Sequence, residues 1–297
     1  MQPRRQITTQ AGFGPQIQRS PLEKLRIKLK NAYGRNKGTL RNPEFWALTP
    51  KLAAGALNRK PRQPGDPVLF VSTHHKAMTT YFVDVMRLFA MCRGQRFEIV
   101  NMQQPKAQTD IFVSGHSKMD LPALAPYRGV HITRDPRDMI ISGYHYHKWT
   151  TEEWAHRPDD QGRSYQQKLL AASQDDGLYM DIDHFIFSYR DLLENWDMDD
   201  PDMLELKFED LMGDGRAALY DQIFRHFGCN SDDLALGIRL MTMFEAKKRA
   251  GKSTGAKSHV RSAKSGQWKG MLTADHLAYI DTELGDVLDK FGYPRAG

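Results

Sequence analysis

Residues 68–88 read VLFVSTHHKAMTTYFVDVMRL. Val68 to Val71 is a short apolar, β-branched and aromatic run behind Gly65-Asp66-Pro67, which predicts a buried strand. From Met78 onward, Phe82, Val85, Met86 and Phe89 recur at helical spacing, which predicts a helix. The turn between them, Ser72 to Thr80, carries Lys76 and the Thr79-Thr80 pair. A helix N-terminus offers unpaired N–H groups and the positive end of the dipole, so a strand–loop–helix of this kind is suited to an anion. Taken alone, it is also an ordinary βα turn.

The same alternation continues outward. Strands are predicted at Phe97–Val100, Ile111–Ser114, Val130–Thr133 and Met203–Phe208. Helices are predicted after Asp135-Pro136, at Met180–Trp196, Ala217–Phe227, Asp232–Met243 and Thr273–Phe291. Asp135 is a good N-cap and Pro136 suits the first helical position. The fold class that follows is α/β, a mainly parallel sheet of about five strands with helices on both faces. Ligands of such sheets bind at the carboxyl ends of the strands. The loops at 72–80, 114–118 and 134–142 all leave strands there.

Composition narrows the function. The chain has 297 residues, 40% of them hydrophobic, enough for one large domain. No apolar run reaches membrane-spanning length, no secretory leader pattern opens the sequence, and the only cysteines are Cys92 and Cys229. Two cysteines argue against a disulfide scaffold and a cysteine-based zinc site, and a reducing, cytoplasmic setting is expected, with an organellar transit peptide left open by the Arg and Ser near the start. The net charge of +6 is unevenly spread: residues 1–64 hold 14 Lys and Arg against 2 acids, and residues 246–274 hold 8 and none. Residues 1–64 read as a basic arm, partly disordered or in short helices such as one at 21–33, and residues 65–297 as the main domain. The arm lacks the aromatic interleaving of a single-strand binder, so no specific nucleic-acid partner is expected.

The chemistry-bearing loops are individually weak signals. The first is not a Walker A motif, since it contains no glycine, and no GxGxxG follows a strand. Arg134 and Ser142 could hold phosphate oxygens, but alone they are a surface pair on a helix start. His116 stands in a Gly/Ser loop where an imidazole can act as a general base, yet a lone His is more often structural. The segment from Arg261 to Lys269 is basic and Gly/Ser-rich, which alone is a solvated loop. His74/His75 and His145/His147 do not share helix faces, so no metal site is read from them.

Together, in this order, the segments resemble the sulfotransferases that use 3′-phosphoadenosine-5′-phosphosulfate (PAPS), in particular the cytosolic type. The family's PKSGTTW loop is matched by His75-Lys76-Ala77-Met78-Thr79-Thr80-Tyr81. Its RNPKDVAVSYYHFH segment is matched from Arg134 through Ser142 to His147. His116 occupies the place of the family's histidine in a K-T-H-L-P-like loop. Phe208-Glu209-Asp210 resembles its Y-E-D, Thr242-Met243-Phe244-Glu245 its T-S-F-E, and Arg261 to Lys269 its late RKGxxGDWK. The resemblance runs from about Val68 to Tyr293.

It implies in-line transfer of a sulfuryl group from PAPS to a hydroxyl or amine of a small-molecule acceptor, leaving 3′,5′-adenosine bisphosphate, without a metal. His116 becomes the base on the acceptor, and Lys76 the cation at the leaving oxygens. The cofactor-binding set is Lys76, Ala77, Met78, Thr79, Thr80, Tyr81, Arg134, Ser142, Phe208, Thr242, Phe244, Arg261, Ser262 and Ala263. Within it, Thr79 and Thr80 hold the 5′-phosphate, Arg134, Ser142 and Arg261 the 3′-phosphate, and Tyr81, Thr242 and Phe244 the adenine. Tyr144, His145, His147 and Trp149 become acceptor-pocket candidates. A homodimer is compatible with the family. The departures are Met78 for glycine, Tyr81 for tryptophan, Phe208 for tyrosine and Ser262-Ala263 for Lys-Gly. Met78 implies a loop that avoids the left-handed region or a reshaped pocket. The rival classes are a nucleotide-dependent phosphotransferase and a non-catalytic anion or nucleic-acid binder acting through the arm.

Overall fold

A computed structural model describes residues 43–250 and 265–296, apart from the side chains of 246–250. After a short turn at Pro43–Trp46, helix α1 (Thr49–Leu57) leads to β1 (Val68–Thr73), α2 (Thr79–Cys92), β2 (Phe97–Val100), β3 (Ile111–Ser114) and β4 (Tyr127–Thr133). Then come α3 (Pro136–His147), α4 (Gln174–Glu194), β5 (Met203–Lys207), α5 (Arg216–His226), α6 (Ser231–Ala250) and α7 (Ala274–Lys290).

The five strands form one parallel sheet in the order β2-β3-β1-β4-β5. The three strands whose outgoing loops were singled out, β3, β1 and β4, are therefore adjacent. Their carboxyl ends bring residues 72–80, 114–118 and 134–142 to one edge. This placement explains how segments 60 residues apart in sequence can share a ligand.

Alternation along β1 divides the core. Leu69 and Val71 point to one side, where Phe82, Phe89, Val113, Ile132, Phe224 and Leu240 are buried. Val68 and Phe70 point to the other, with Phe112, Ile140, Ile182, Phe185 and Leu284. Phe70 stacks on Phe112 at 4.8 Å between ring centroids. β4 begins earlier than the apolar run implies and passes through Gly129, where a side chain would lie 2.2 Å from the Met203 sulfur and 2.5 Å from the Phe70 ring. Glycine thus serves close packing there rather than a turn.

Helix starts follow their chemistry. The Asp135 side chain accepts from the Arg137 N–H, with Pro136 at the first position of α3. Ser173 caps α4, and Thr273 with His276 forms a capping box on α7. Met203–Lys207 is strand, and Phe208 already begins a short helical turn to Met212. α6 runs longer than its apolar pattern, to Ala250. Residues 43–58 are docked rather than loose: Leu48 is fully buried in the core around α2, and Gly55 of α1 passes close to the backbone of Met91. The expected helix at 21–33 lies outside the described residues.

Candidate active site

The loop after β1 takes a shape unusual for its residues. Lys76 has φ 67° and Met78 φ 65°, both left-handed. Of the two outcomes expected for Met78, a loop that avoids the left-handed region is not the one found: Met78 lies in that region, at a cost of about 1–2 kcal/mol. Its side chain packs against the core around α2. α2 starts at Thr79, and the N–H groups of its first turn lie at the strand edge. Ala77 is fully buried, and its N–H is engaged by the His74 carbonyl at 3.0 Å.

The two threonines differ. The Thr79 hydroxyl is 2.7 Å from that of Thr73 and also reaches the His74 carbonyl, so it braces the loop. Thr80 is exposed.

Arg134 closes on this loop from β4. It is buried, its Nη1 donates to the Lys76 carbonyl at 2.8 Å, and its guanidinium lies 4.3 Å over the Phe208 ring. Phe208 therefore acts here as the shelf for Arg134. The Lys76 ammonium lies 4.0 Å from the centre of the Tyr146 ring. Burial first, then the charge of Arg134, pushes its pKa down to about 8, while Glu152 pulls the other way. Ser142 lies half-buried on α3.

His116 comes from the β3 loop. Its Nδ1 is 2.9 Å from the Tyr189 hydroxyl of α4, and burial lowers its pKa. Its ring is nearly parallel to those of Tyr189 and His75, at 6.2 Å each. His75 in turn faces His147 at 5.7 Å and Tyr146 at 5.2 Å. One wall thus joins His116 to Lys76 through His75 and Tyr146. The Nε2 of His75 is buried without a hydrogen-bond partner, and burial and the neighbouring Lys76 keep that ring neutral. Glu152, which accepts from the Tyr146 hydroxyl and the Trp154 indole, is a carboxylate whose field reaches both Lys76 and His116.

Other sequence candidates are placed differently. Tyr81 is 1% exposed, inside the core, and its hydroxyl donates to the Met241 carbonyl at 2.8 Å. A ring so placed ties α2 to α6, because the first turn of α2 points residues 81 and 82 inward. Tyr144 is likewise core, with its hydroxyl held by Lys148. His145 faces Met271, with Nε2 3.4 Å from the sulfur. Successive helical residues diverge by about 100°, so of this run only Tyr146 and His147 turn toward His75. Trp149 packs edge-on against Tyr146 at 4.9 Å. His147 is buried, with Nδ1 2.5 Å from the Asp181 carboxylate. On α6, Thr242 is exposed and bonded back to Ile238, while Phe244 is buried.

Arg261, Ser262 and Ala263 lie outside the described residues. The chain resumes against the start of α3: the N–H groups of Gly266 and Trp268 donate to the two Asp138 oxygens at 2.7 and 3.2 Å. The Arg137 guanidinium covers the Trp268 ring at 3.9 Å.

Sequence reasoning gave His75 no role in the site and passed over Glu152, Asp181 and Tyr189. Tyr189 lies 73 residues from His116, and nothing local in the sequence signals that pairing. Among the described residues no group of three or more His, Cys, Asp or Glu side chains is arranged for a metal, and no helix is long and apolar enough to cross a membrane.

The arrangement defines a parallel α/β domain with a left-handed loop at a helix N-terminus, a buried arginine and a shared lysine–imidazole wall at one sheet edge. The family described as "Sulfotransferase domain" matches residues 70–292, and the chain belongs to it. It is accordingly a sulfotransferase that uses PAPS as donor. Similar solved structures include mouse sulfotransferase SULT7A1 complexed with PAP, at 15% identity and TM-score 0.41, covering 80% of this chain and 89% of that one. Retinol dehydratase appears twice: with androsterone and inactive cofactor PAP (16%, TM-score 0.44, 81% and 85% covered), and with retinol and PAP (16%, 0.45, 80% and 86%). No curated protein matches the sequence.

The residues present fit an anionic donor. Lys76 and Arg134 are two cations close enough to depress the lysine's pKa, and the neutral His75 beside them leaves an unpartnered buried nitrogen. A dianionic ligand would relieve the first and could occupy the second.

Proposed function

We propose that the acceptor is a small molecule bearing a hydroxyl or amine, that His116 takes its proton, and that Lys76 neutralises charge on the departing phosphate. PAPS, when bound, supplies the sulfuryl group. The N–H groups at the start of α2, Thr80 and Lys76 hold its 5′ end; Arg134 and Ser142 hold the 3′-phosphate. Arg261, Ser262 and Ala263, outside the described residues, remain the further candidates for that subsite. Thr242, on the exposed face of α6, remains the accessible adenine candidate, while the rings of Phe244 and Tyr81, its companions in that set, are both buried in the core around α2. His147 and Trp149 border the acceptor, together with Tyr146 and His75. The observation that carries this reading is the continuous wall from His116 through His75 and Tyr146 to Lys76. We take the domain to begin near residue 43, ahead of the expected boundary at 65, because Leu48 and α1 belong to its core. The two free cysteines support a cytoplasmic setting.

The test is the pH dependence of kcat/KM for PAPS, which reports the free enzyme. Rate should fall as pH rises through about 8, where Lys76 loses its charge, and fall on the acid side as His116 takes up a proton, below the ordinary histidine value of 6.5. Lys76→Ala should remove the alkaline limb and His116→Ala the acid one, each with ~10²-fold or greater loss in kcat and an unchanged fold. A fully active His116→Ala enzyme would end the base assignment.

A further inference from the structure

A base that works through one imidazole nitrogen needs its other nitrogen protonated and held. Tyr189 is placed to do this for His116. Its hydroxyl is 2.9 Å from His116 Nδ1, and its ring is parallel to the imidazole within 8°. The phenol is itself fixed: its ring is 6% exposed on α4, packed between Phe185 and, edge-on, the ring of His74.

A lone pair of the phenol oxygen can take the His116 Nδ1–H, which leaves Nε2 of His116 with its own lone pair. The opposite assignment, the phenol donating to Nδ1, would put the imidazole proton on Nε2 and disable that nitrogen as a base. After proton uptake the imidazolium carries hydrogen on both nitrogens, and only the accepting phenol suits that state.

We infer that Tyr189 is the positioning residue of this site: its hydroxyl oxygen accepts from His116 Nδ1–H. It thereby fixes the base in its reactive tautomer and ties the β3 loop to α4. The inference rests on the reading of His116 as the base. It assigns to a neutral phenol the place that a carboxylate fills in Ser-His-Asp sites. A neutral partner orients the ring without adding a negative charge beside it, in keeping with a histidine that remains a free base at neutral pH.

The experiment uses the full chain with ¹⁵N-labelled imidazoles. In the wild-type protein without ligand, the neutral His116 should carry its proton on Nδ1. In Tyr189→Phe it should move to Nε2, the tautomer an unassisted imidazole prefers. Tyr189→Phe should bind 3′,5′-adenosine bisphosphate within about twofold of wild type by calorimetry, while kcat falls about 10- to 100-fold, a part of the ~10²–10⁴ a positioned base contributes. A wild-type His116 protonated on Nε2 overturns the inference without recourse to any variant. So does a Tyr189→Phe enzyme with wild-type kcat and tautomer while His116→Ala is inactive. If His116→Ala keeps full activity, the base assignment fails instead, and the ¹⁵N spectra still decide whether Tyr189 sets the tautomer.

Discussion

Met78 offers a direct measure of what the left-handed loop costs. At φ 65° and ψ 14° a side chain crowds its own backbone, at about 1–2 kcal/mol, whereas glycine has no such penalty. Replacing Met78 by Ala keeps the crowding Cβ and loses the packing against the core; replacing it by Gly loses the same packing and relieves the strain. The difference between the two variants removes the packing from the comparison. Glycine's extra freedom in the unfolded chain works against it by about 0.5–1 kcal/mol. Its advantage over alanine at a helix N-cap works for it by several tenths. The glycine variant should then be the more stable by about 1 kcal/mol, or about 2 °C in Tm for a chain of this size. Met78→Val makes the test sharper, because a β-branched residue is worst of all at positive φ and should fall below alanine. Urea midpoints of the three variants, with m-values compared, give the order Gly, Ala, Val. A valine variant as stable as the glycine variant would refute the left-handed assignment.

Acid should weaken the fold through buried histidines. Burial holds His74, His75 and His184 below 6.5, His184 at about 3, so below pH 6.5 the unfolded chain binds protons that the native one does not. Stability should therefore fall as pH drops from 6.5 toward 4, by up to ~1.4 kcal/mol per pH unit for each group, and His184→Gln should flatten the dependence; a stability that does not change over that range rules the account out. Arg134→Lys keeps the charge but loses the planar group that spans the Lys76 carbonyl and the Phe208 ring, so calorimetry should show 3′,5′-adenosine bisphosphate binding weakened about 10- to 100-fold. Unchanged affinity would place the 3′-phosphate elsewhere.

The parts of this site that a reader of the sequence can find are those carried by strand ends. Three apolar runs, each followed by polar residues, place Lys76, His116 and Arg134 at one sheet edge, and the order β3-β1-β4 brings them together. Helical phase was harder to anchor. Tyr81 becomes a core residue because α2 begins at Thr79, two residues before it; a start one residue earlier or later would turn it through about 100°. The same phase problem separates Tyr144 and His145 from Tyr146 and His147 within a single turn of α3. Pairings across the fold were not legible at all. His147 meets Asp181 34 residues on, His131 meets Glu205 74 residues on, and each member taken singly looks like an ordinary buried or surface residue.

These long-range pairs also answer why a loop without glycine can hold two left-handed residues. In a glycine-rich loop the shape is available to the chain itself. Between Ser72 and Thr80 it must be imposed, because Lys76 and Met78 together cost about 2–4 kcal/mol. The neighbours of the loop impose it from four sides. Arg134 holds the Lys76 carbonyl, the Thr73 and Thr79 hydroxyls close across the turn, and Tyr189 packs edge-on against the His74 ring. Beneath it, His74 Nε2 meets His131 Nε2 at 2.7 Å, and His131 Nδ1 meets Glu205 at 2.6 Å. At about 0.5–1.5 kcal/mol each, more for the charged arginine, such bonds are sufficient to offset the strain. The buried histidines under the sheet edge thus belong to the site although none of them need touch a ligand: they set the conformation that glycine would otherwise provide. Loosening any of the four should therefore be felt first in donor binding, since the αL residues relax before the sheet does.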